Sequence, residues 1–196
     1  QDVVKLHKLD AETGAVLFSM VPPTSVYGLA MDGRSNLWLV SQKESAIGRI
    51  DTTRCVDANC ANETVCVTQC TETMCPTDCD TAIVERIEMP QTSYGVTVDC
   101  RQRVWLGGAW GGDGVKRYDP LAASENRLRS ITDVAEDGEN GINGIAADSK
   151  GFVWGAGDDT GVWRIDADTL DFRQVAGTGG NDFSAKGMAV DRSGRV

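Results

Sequence analysis

Apolar and polar residues alternate along most of this chain in stretches of four to seven residues, as in "YGLAMD" from Tyr27 and "YGVTVD" from Tyr94. Alternation with a period of two places apolar side chains on one face of an extended segment. Turns with an Asp-x-x-Gly character separate these stretches, as in "DSKG" from Asp148. The pattern therefore predicts antiparallel β-strands joined by short turns.

The alternating stretches follow a repeated template of Gly, an alternating strand, Asp, a short turn, and Trp between apolar residues. Three copies are "YGLAMDGRSNLWLV" from Tyr27, "YGVTVDCRQRVWLG" from Tyr94 and "NGIAADSKGFVWGA" from Asn143, and "KGMAVDRSGRV" from Lys186 begins a fourth. Each complete copy continues into a third strand, such as "AIGRID" from Ala46, and then a more variable fourth strand. An isolated third strand, "VKLHKLD", begins at Val4.

Units of four strands that recur every 40 to 50 residues are typical of β-propeller blades. We predict an all-β fold: a β-propeller of four-stranded antiparallel blades, with about four blades' worth of strands in this chain. The single domain, residues 1–196, would contain a partial blade at 1–20, blades at about 25–89, 93–133 and 142–176, and a partial blade at 185–196. We expect the chain to form part of a larger, six- or seven-bladed propeller, with a four-bladed closure and a ring of several chains as alternatives.

The repeated Gly, Asp and Trp residues have structural explanations within such a blade. The innermost strand is crowded, which suits Gly28, and a tryptophan such as Trp38 can fill the wedge between neighbouring blades. An aspartate such as Asp148 can cap its turn through backbone hydrogen bonds. We therefore interpret these positions as structural.

The cysteines are concentrated in one insertion at residues 55–80, between the third and fourth strands of the first complete blade. Because this segment has few large apolar residues, we expect disulfides to stabilise it, which indicates an oxidising compartment and a secreted or cell-surface protein. The pairing stays open among Cys55, Cys60, Cys66, Cys70, Cys75 and Cys79, with a zinc site as the alternative. Cys100 is either a buried thiol or the partner of a cysteine outside this chain.

The charge of the chain limits its partners. The formal net charge is −10 with no basic run, which argues against nucleic acid and anionic membrane surfaces. No apolar stretch approaches the length of about 20 residues that a transmembrane helix needs. We therefore expect a protein or glycan partner, no nucleic acid and no transmembrane segment.

The strings "YGLAMD…LWLV…GRID" and "YGVTVD…VWLG…KRYD" resemble the repeats of streptogramin lyase-like (virginiamycin B lyase-like) propellers and, more loosely, NHL repeats. The resemblance covers nearly the whole chain except the cysteine-rich insertion. It implies a propeller fold and, for the lyases, a histidine with a carboxylate and a divalent metal. This chain has one histidine, His7, in the isolated third strand. We therefore assign no catalytic residue and no metal ligand in this chain from the resemblance. No cofactor is expected, and a bound calcium or magnesium ion is the alternative.

The candidate binding residues lie where the strands meet the loops of one propeller face. Four of them directly precede the repeated Gly, and the other two lie in loops between second and third strands. The six are Tyr27, Tyr94, Asn143, Lys186, Trp110 and Asp158. Because such loops converge near the axis, we expect these side chains to contact a ligand together.

Three functional hypotheses follow from these observations. The first is a secreted, non-catalytic binding module for a protein or a glycan, which the missing histidine cluster favours. The second is a streptogramin lyase-like C–O lyase or a lactone-type hydrolase whose catalytic residues lie outside this chain. The third is a structural subunit of an extracellular assembly, and both a homo-oligomer and further blades beyond Val196 stay open.

Overall fold

The computed structural model describes residues 5–55, 57, 84–108, 114–132, 141–157, 161–176, 185–191 and 193–196. Within these ranges the chain forms strands and one three-residue 3-10 helix, Ser124–Asn126. The strands are β1 (Leu6–Leu9), β2 (Val16–Met20), β3 (Gly28–Met31), β4 (Asn36–Val40), β5 (Ala46–Asp51), β6 (Val84–Glu88), β7 (Ser93–Val98), β8 (Val104–Gly108), β9 (Val115–Tyr118), β10 (Leu128–Ile131), β11 (Ile142–Ala147), β12 (Phe152–Gly157), β13 (Gly161–Asp166) and β14 (Phe172–Ala176).

The strands form three four-stranded antiparallel sheets and one two-stranded sheet. Strands β3 to β6, β7 to β10 and β11 to β14 each pair in chain order, and β1 pairs with β2. Each large sheet is therefore a simple meander with its first strand at one edge. The predicted all-β fold and its strand order within each blade are confirmed.

The first strands of successive sheets pack directly against one another at the repeated glycines. An added Cβ atom would lie 3.0 Å from the carbonyl oxygen of Tyr94 at Gly28, 2.3 Å from that of Asn143 at Gly95, and 2.6 Å from the carbonyl carbon of Gly187 at Gly144. Since real Cβ atoms essentially never come within 3.0 Å of backbone atoms, a side chain at Gly95 or Gly144 would push the strands apart, and one at Gly28 would be a tight fit. This close approach sets the spacing between sheets.

The repeated aspartate fixes both the turn after each first strand and the tryptophan on the second strand. In each copy Oδ1 accepts hydrogen bonds of 2.8 to 3.0 Å from the backbone N–H groups two and four residues later. The other oxygen accepts the indole N–H, at 3.0 Å from Trp38 to Asp32 and 2.9 Å from Trp154 to Asp148. Trp105 donates in the same way to Asp99 at 2.9 Å.

These hydrogen bonds determine how the buried carboxylates titrate. Burial alone would raise the pKa of Asp148. The hydrogen bonds from Trp154 and from the backbone of Phe152 and Lys150 lower that pKa by more than burial raises it, so it lies below its ordinary value. The pKa of Asp32 lies below its ordinary value for the same reason, with Trp38 as the strongest donor. Both aspartates are therefore charged acceptors at neutral pH.

Trp38 and Trp105 fill the spaces between sheets, as predicted, whereas the equivalent Trp154 is only partly buried. Trp38 is 1% exposed and packs with Val104, Leu106 and Tyr118 of the next sheet. Trp105 is fully buried against β11, β12 and β13 of the third sheet. The hydrophobic core therefore consists of successive layers between blades.

The N-terminal side of this stack is incompletely covered. The two-stranded sheet packs on the first large sheet through Met20, Leu39 and Ile50. A cavity of about 370 Å³ lies beside this contact, which we call the N-terminal cavity. Its lining includes Leu6, Phe18, Leu29, Met31 and Leu37.

Some expectations differ from the structure or lie outside the described residues. No strand occurs among residues 185–191 and 193–196, where a first strand was expected, because no described second strand pairs with this segment. Its turn is still formed, since Asp191 Oδ1 accepts 2.9 Å bonds from the N–H groups of Ser193 and Arg195. Cys100 is an exposed free thiol, not a buried one, because it lies in the β7–β8 turn. Of the six cysteines of the insertion, only Cys55 lies within the described residues, where it is buried.

Candidate functional site

A shallow groove runs across one end of the first strands and contains four of the six predicted binding residues. Its volume is about 250 Å³. Four equivalent tripeptides line it, one from each repeat copy: Tyr27-Gly28-Leu29, Tyr94-Gly95-Val96, Asn143-Gly144-Ile145 and Lys186-Gly187-Met188. We call this feature the inner-strand groove. The other two predicted residues, Trp110 and Asp158, lie outside the described part of the chain.

The tripeptides share one pattern: a variable residue, the repeated glycine and an apolar residue. The glycine allows the strands to touch, so the flanking side chains of neighbouring strands come close together. The variable positions were predicted, whereas the apolar positions Leu29, Val96, Ile145 and Met188 were not. The available signal was that the residue after the repeated glycine is apolar in all four copies.

Two tyrosines dominate one end of the groove. The hydroxyl of Tyr27 donates a 2.6 Å hydrogen bond to that of Tyr94, and their rings are 4.4 Å apart at an angle of 59°. Tyr27 is nevertheless 52% exposed. An aromatic surface that is held in place and still accessible is typical of binding sites, because little side-chain entropy is lost when a ligand packs on it.

The backbone next to Tyr27 is held by a polar network. The N–H of Tyr27 donates to Val40 O at 2.8 Å, and the N–H of Ser25 donates to Glu44 Oε1 at 2.8 Å. Glu44 also pairs with Arg86, and the hydrogen bond from Arg86 is the main reason that the pKa of Glu44 falls to about 2. The segment that presents Tyr27 is therefore anchored to β4 and β6.

Sheet irregularities occur at the groove in two of the three large sheets. The β7–β8 register shifts between Ser93 and Val96, and the β11–β12 register shifts between Ile142 and Gly144. Irregularities of this kind bend a strand and change the direction of its side chains. Here they coincide with Tyr94 and with Asn143, so these two groove residues depart from the regular pleat.

The groove differs in charge from the chain as a whole. Lys186 is the one Asp, Glu, Lys, Arg or His side chain among its described lining residues, and it is exposed. The chain carries a formal net charge of −10. The described lining of the groove is therefore aromatic and apolar with a single lysine, on an acidic protein.

His7 lies away from this groove. It is on β1, where its Nδ1 is 2.7 Å from the Ser19 hydroxyl oxygen, and it lines the N-terminal cavity. The described residues contain no group of three or more His, Cys, Asp or Glu arranged to hold a metal ion. No helix long and apolar enough to cross a membrane occurs in the described ranges.

The fold is similar to several solved β-propeller structures at low sequence identity. Virginiamycin B lyase from Staphylococcus aureus matches with a TM-score of 0.52 and 14% identity, over 89% of this chain and 46% of that chain. YCF48 bound to D1 peptide matches with a TM-score of 0.53 and 12% identity, over 83% and 43%. The extracellular domain of BT4673 from B. thetaiotaomicron matches with a TM-score of 0.51 and 17% identity, over 84% and 17%.

These comparisons establish the fold of this chain. It is a β-propeller fold of the streptogramin lyase-like type, as the repeats predicted. The chain spans less than half the length of each of these matched chains. No family model and no curated protein matches its sequence.

Proposed function

We propose that this chain is a secreted, non-catalytic binding module whose inner-strand groove takes a peptide segment of a protein partner. The observation that carries the proposal is the convergence of four equivalent tripeptides on one groove, with an aromatic pair at one end of which Tyr27 is exposed. Aromatic side chains are enriched among the residues that contribute most to protein binding. The polar, cysteine-rich insertion supports the proposed export of the protein.

The composition of the groove favours a peptide over a glycan. Leu29, Val96 and Met188 provide apolar surface for aliphatic side chains. The tyrosine rings pack against each other at an angle, so they do not form the open, flat platform on which a sugar ring stacks. The structure of YCF48 with D1 peptide supports the view that this fold accepts a peptide.

The test is a parallel selection of peptides and glycans on the full chain. A phage-displayed library of random dodecapeptides and an immobilised glycan array are probed with wild type, with the double variant Tyr27→Ala/Tyr94→Ala, and with Leu121→Ala. Leu121 is an exposed apolar residue away from the groove. We expect the wild type and Leu121→Ala to bind the same enriched peptides, and the double variant to bind them at least about tenfold more weakly.

Two results would contradict the proposal. One is enriched peptides that bind the tyrosine double variant as tightly as the wild type, which would place binding elsewhere. The other is retention on the glycan array with no peptide enriched, which would make the ligand a sugar. Circular dichroism spectra of all three proteins control for folding.

A further inference from the structure

We infer that the N-terminal cavity accepts an additional β-strand from a partner polypeptide, which pairs with the open edge of β1 and places a tryptophan in the cavity. This inference goes beyond the proposed function, because it concerns a second site on the chain. The cavity and the inner-strand groove share one described lining residue, Leu29. The argument rests on the equivalence of the spaces between successive sheets.

Strands β1 and β2 correspond to the third and fourth strands of a large sheet. The end of β1, Lys8-Leu9-Asp10, matches the Arg-apolar-Asp sequence that ends each third strand. The aspartate also forms the same turn, since Asp10 Oδ1 accepts hydrogen bonds from the N–H groups two and three residues later, at 3.2 and 2.8 Å. Asp51 and Asp166 accept the same pair of bonds. The two-stranded sheet is therefore the outer half of a blade.

The inner edge of this half blade is open to a further strand. In each large sheet the third strand pairs with the fourth on one edge and with the second on the other. Among the described strands, β1 pairs with β2 alone, so the edge for a second strand carries none in those ranges. The N–H and C=O groups along such an edge are a template for an added strand.

The N-terminal cavity lies where a tryptophan fills the other spaces between sheets. In both filled spaces, the second-strand tryptophan belongs to the same core cluster as the residues one and three positions after the repeated glycine of the next sheet. These residues are Val96 and Val98 for Trp38, and Ile145 and Ala147 for Trp105.

The equivalent residues of the first large sheet are left uncovered. They are Leu29 and Met31, which line the cavity and are 56% and 52% exposed. Leu6 and Phe18 line it from the two-stranded sheet. The cavity also continues an established interface, the packing of the two-stranded sheet on the first large sheet. An indole in this space would complete the layer that Trp38 and Trp105 complete elsewhere.

The repeats also specify the register of the added strand. Each tryptophan stands directly opposite the arginine of the third strand: Trp38 opposite Arg49, Trp105 opposite Arg117, and Trp154 opposite Arg164. The equivalent position in β1 is Lys8, which lines the cavity. The partner segment is therefore extended, with a tryptophan opposite Lys8 and aliphatic neighbours such as those that flank Trp38 in β4.

The experiment uses a synthetic strand as the probe. A capped, fluorescein-labelled peptide copies Arg34–Gln42, "RSNLWLVSQ", and its binding to the 196-residue chain is measured by fluorescence anisotropy. Three further peptides carry Trp→Ala, N-methyl groups at the odd residues, or N-methyl groups at the even residues. The protein variants are Met31→Glu, in the cavity, and Leu121→Glu, which makes the same charge change at an exposed site outside it.

We expect the wild type and Leu121→Glu to bind the probe equally. The Trp→Ala peptide should bind at least about tenfold more weakly, because the indole supplies much of the apolar area that is buried. Met31→Glu should weaken binding by a similar factor, since its carboxylate would be buried beside the indole without a partner. One N-methylated peptide should lose binding and the other keep it, because alternate N–H groups of a strand point to opposite edges.

The inference is overturned if the Trp→Ala peptide binds as tightly as the probe, if both glutamate variants bind alike, or if both N-methylated peptides bind alike. A wild type that does not bind the probe also overturns it, and sedimentation then shows whether a second copy covers the cavity, as a dimer, or the chain covers it itself, as a monomer. Circular dichroism checks the fold of Met31→Glu. If that variant is unfolded, the peptide series on the wild type decides alone.

This test is independent of the proposed function. The double variant Tyr27→Ala/Tyr94→Ala should bind the probe as the wild type does, since neither tyrosine is among the described residues that line the cavity. Loss of probe binding in the double variant would place the strand in the inner-strand groove and overturn the inference.

Discussion

At the residue scale, the repeated aspartate links a turn to the hydrophobic core. One carboxylate oxygen closes the turn and the other holds an indole N–H, so the orientation of the tryptophan ring is fixed by the strand that precedes it. A buried tryptophan needs a partner for its N–H, and an aspartate in a turn needs donors for its charge. Each group therefore satisfies the other.

Replacing Asp148 with Asn should destabilise the chain by about 1–3 kcal/mol, because the side-chain N–H₂ would then face the Trp154 N–H and leave a donor without an acceptor. The folded-state pKa of Asp148 is lowered, so its charge stabilises the fold above the unfolded pKa of about 4 and this contribution is lost as the pH falls through the folded-state pKa. The difference between wild type and variant should therefore be largest at neutral pH and shrink below about pH 4. Urea unfolding from pH 7 to pH 3 measures it.

The matched control for this prediction is Asp191→Asn. Asp191 forms the same turn but holds no tryptophan among the described residues. We expect little change in its unfolding midpoint at pH 7. An equal loss of stability in both variants would mean that the turn alone, and not the bond to Trp154, accounts for the effect.

The sequence predicted the role of each partner but not the bond between them. Period-two alternation, the glycine spacing and the position of the tryptophans were enough for the strands and their order. The Asp–Trp bond also had a signal, since the two residues are six apart in every complete copy. The contact between Tyr27 and Tyr94 had no signal in the sequence. These residues are 67 positions apart in the chain, and their contact depends on how closely the two strands approach each other.

At the element scale, the spacing of the first strands depends on residues without side chains. Each strand contacts the next through a glycine, and the irregular registers of β7 and β11 fall at the same level. The strands that build the groove are thus the most tightly packed part of the backbone. Changes there should affect folding and binding together.

Gly95→Ala should destabilise the chain by about 1–3 kcal/mol or more, because its Cβ would lie 2.3 Å from the Asn143 carbonyl oxygen and must displace a strand. Gly187→Ala is the matched control, since no atom of the described residues other than its chain neighbours lies within 4 Å of the added Cβ. We expect a lower thermal midpoint for Gly95→Ala and an unchanged one for Gly187→Ala. Equal midpoints would show that the strands can separate without cost.

At the scale of the whole molecule, the two sides of the blade stack differ in how well they are covered. Trp38 and Trp105 fill the spaces between the large sheets, whereas the space beside β1 and β3 remains a cavity lined by apolar side chains. Among the described strands, β1 pairs only with β2. Exposed apolar surface of this kind usually marks a contact with another segment or chain.

Met31→Ser should reduce the fluorescence of the apolar dye ANS bound to the chain, because Met31 lines this cavity and is 52% exposed. Its unfolding midpoint should change little, since half of the side chain is already in water. Leu121→Ser, at a site 58% exposed but isolated from the cavity, is the control. Unchanged dye binding in Met31→Ser would show that the N-terminal cavity is not the apolar surface that the dye contacts.

Each tripeptide of the groove contains two residues that serve packing and one variable residue. The glycine and the apolar residue that follows it serve packing, while the residue before the glycine is Tyr, Tyr, Asn or Lys with the same backbone position in each copy. In the proposed binding role, recognition would therefore change by substitution at one position per repeat without redesign of the core. Such a groove would provide a row of interchangeable contact positions, and its ligand would be altered one blade at a time.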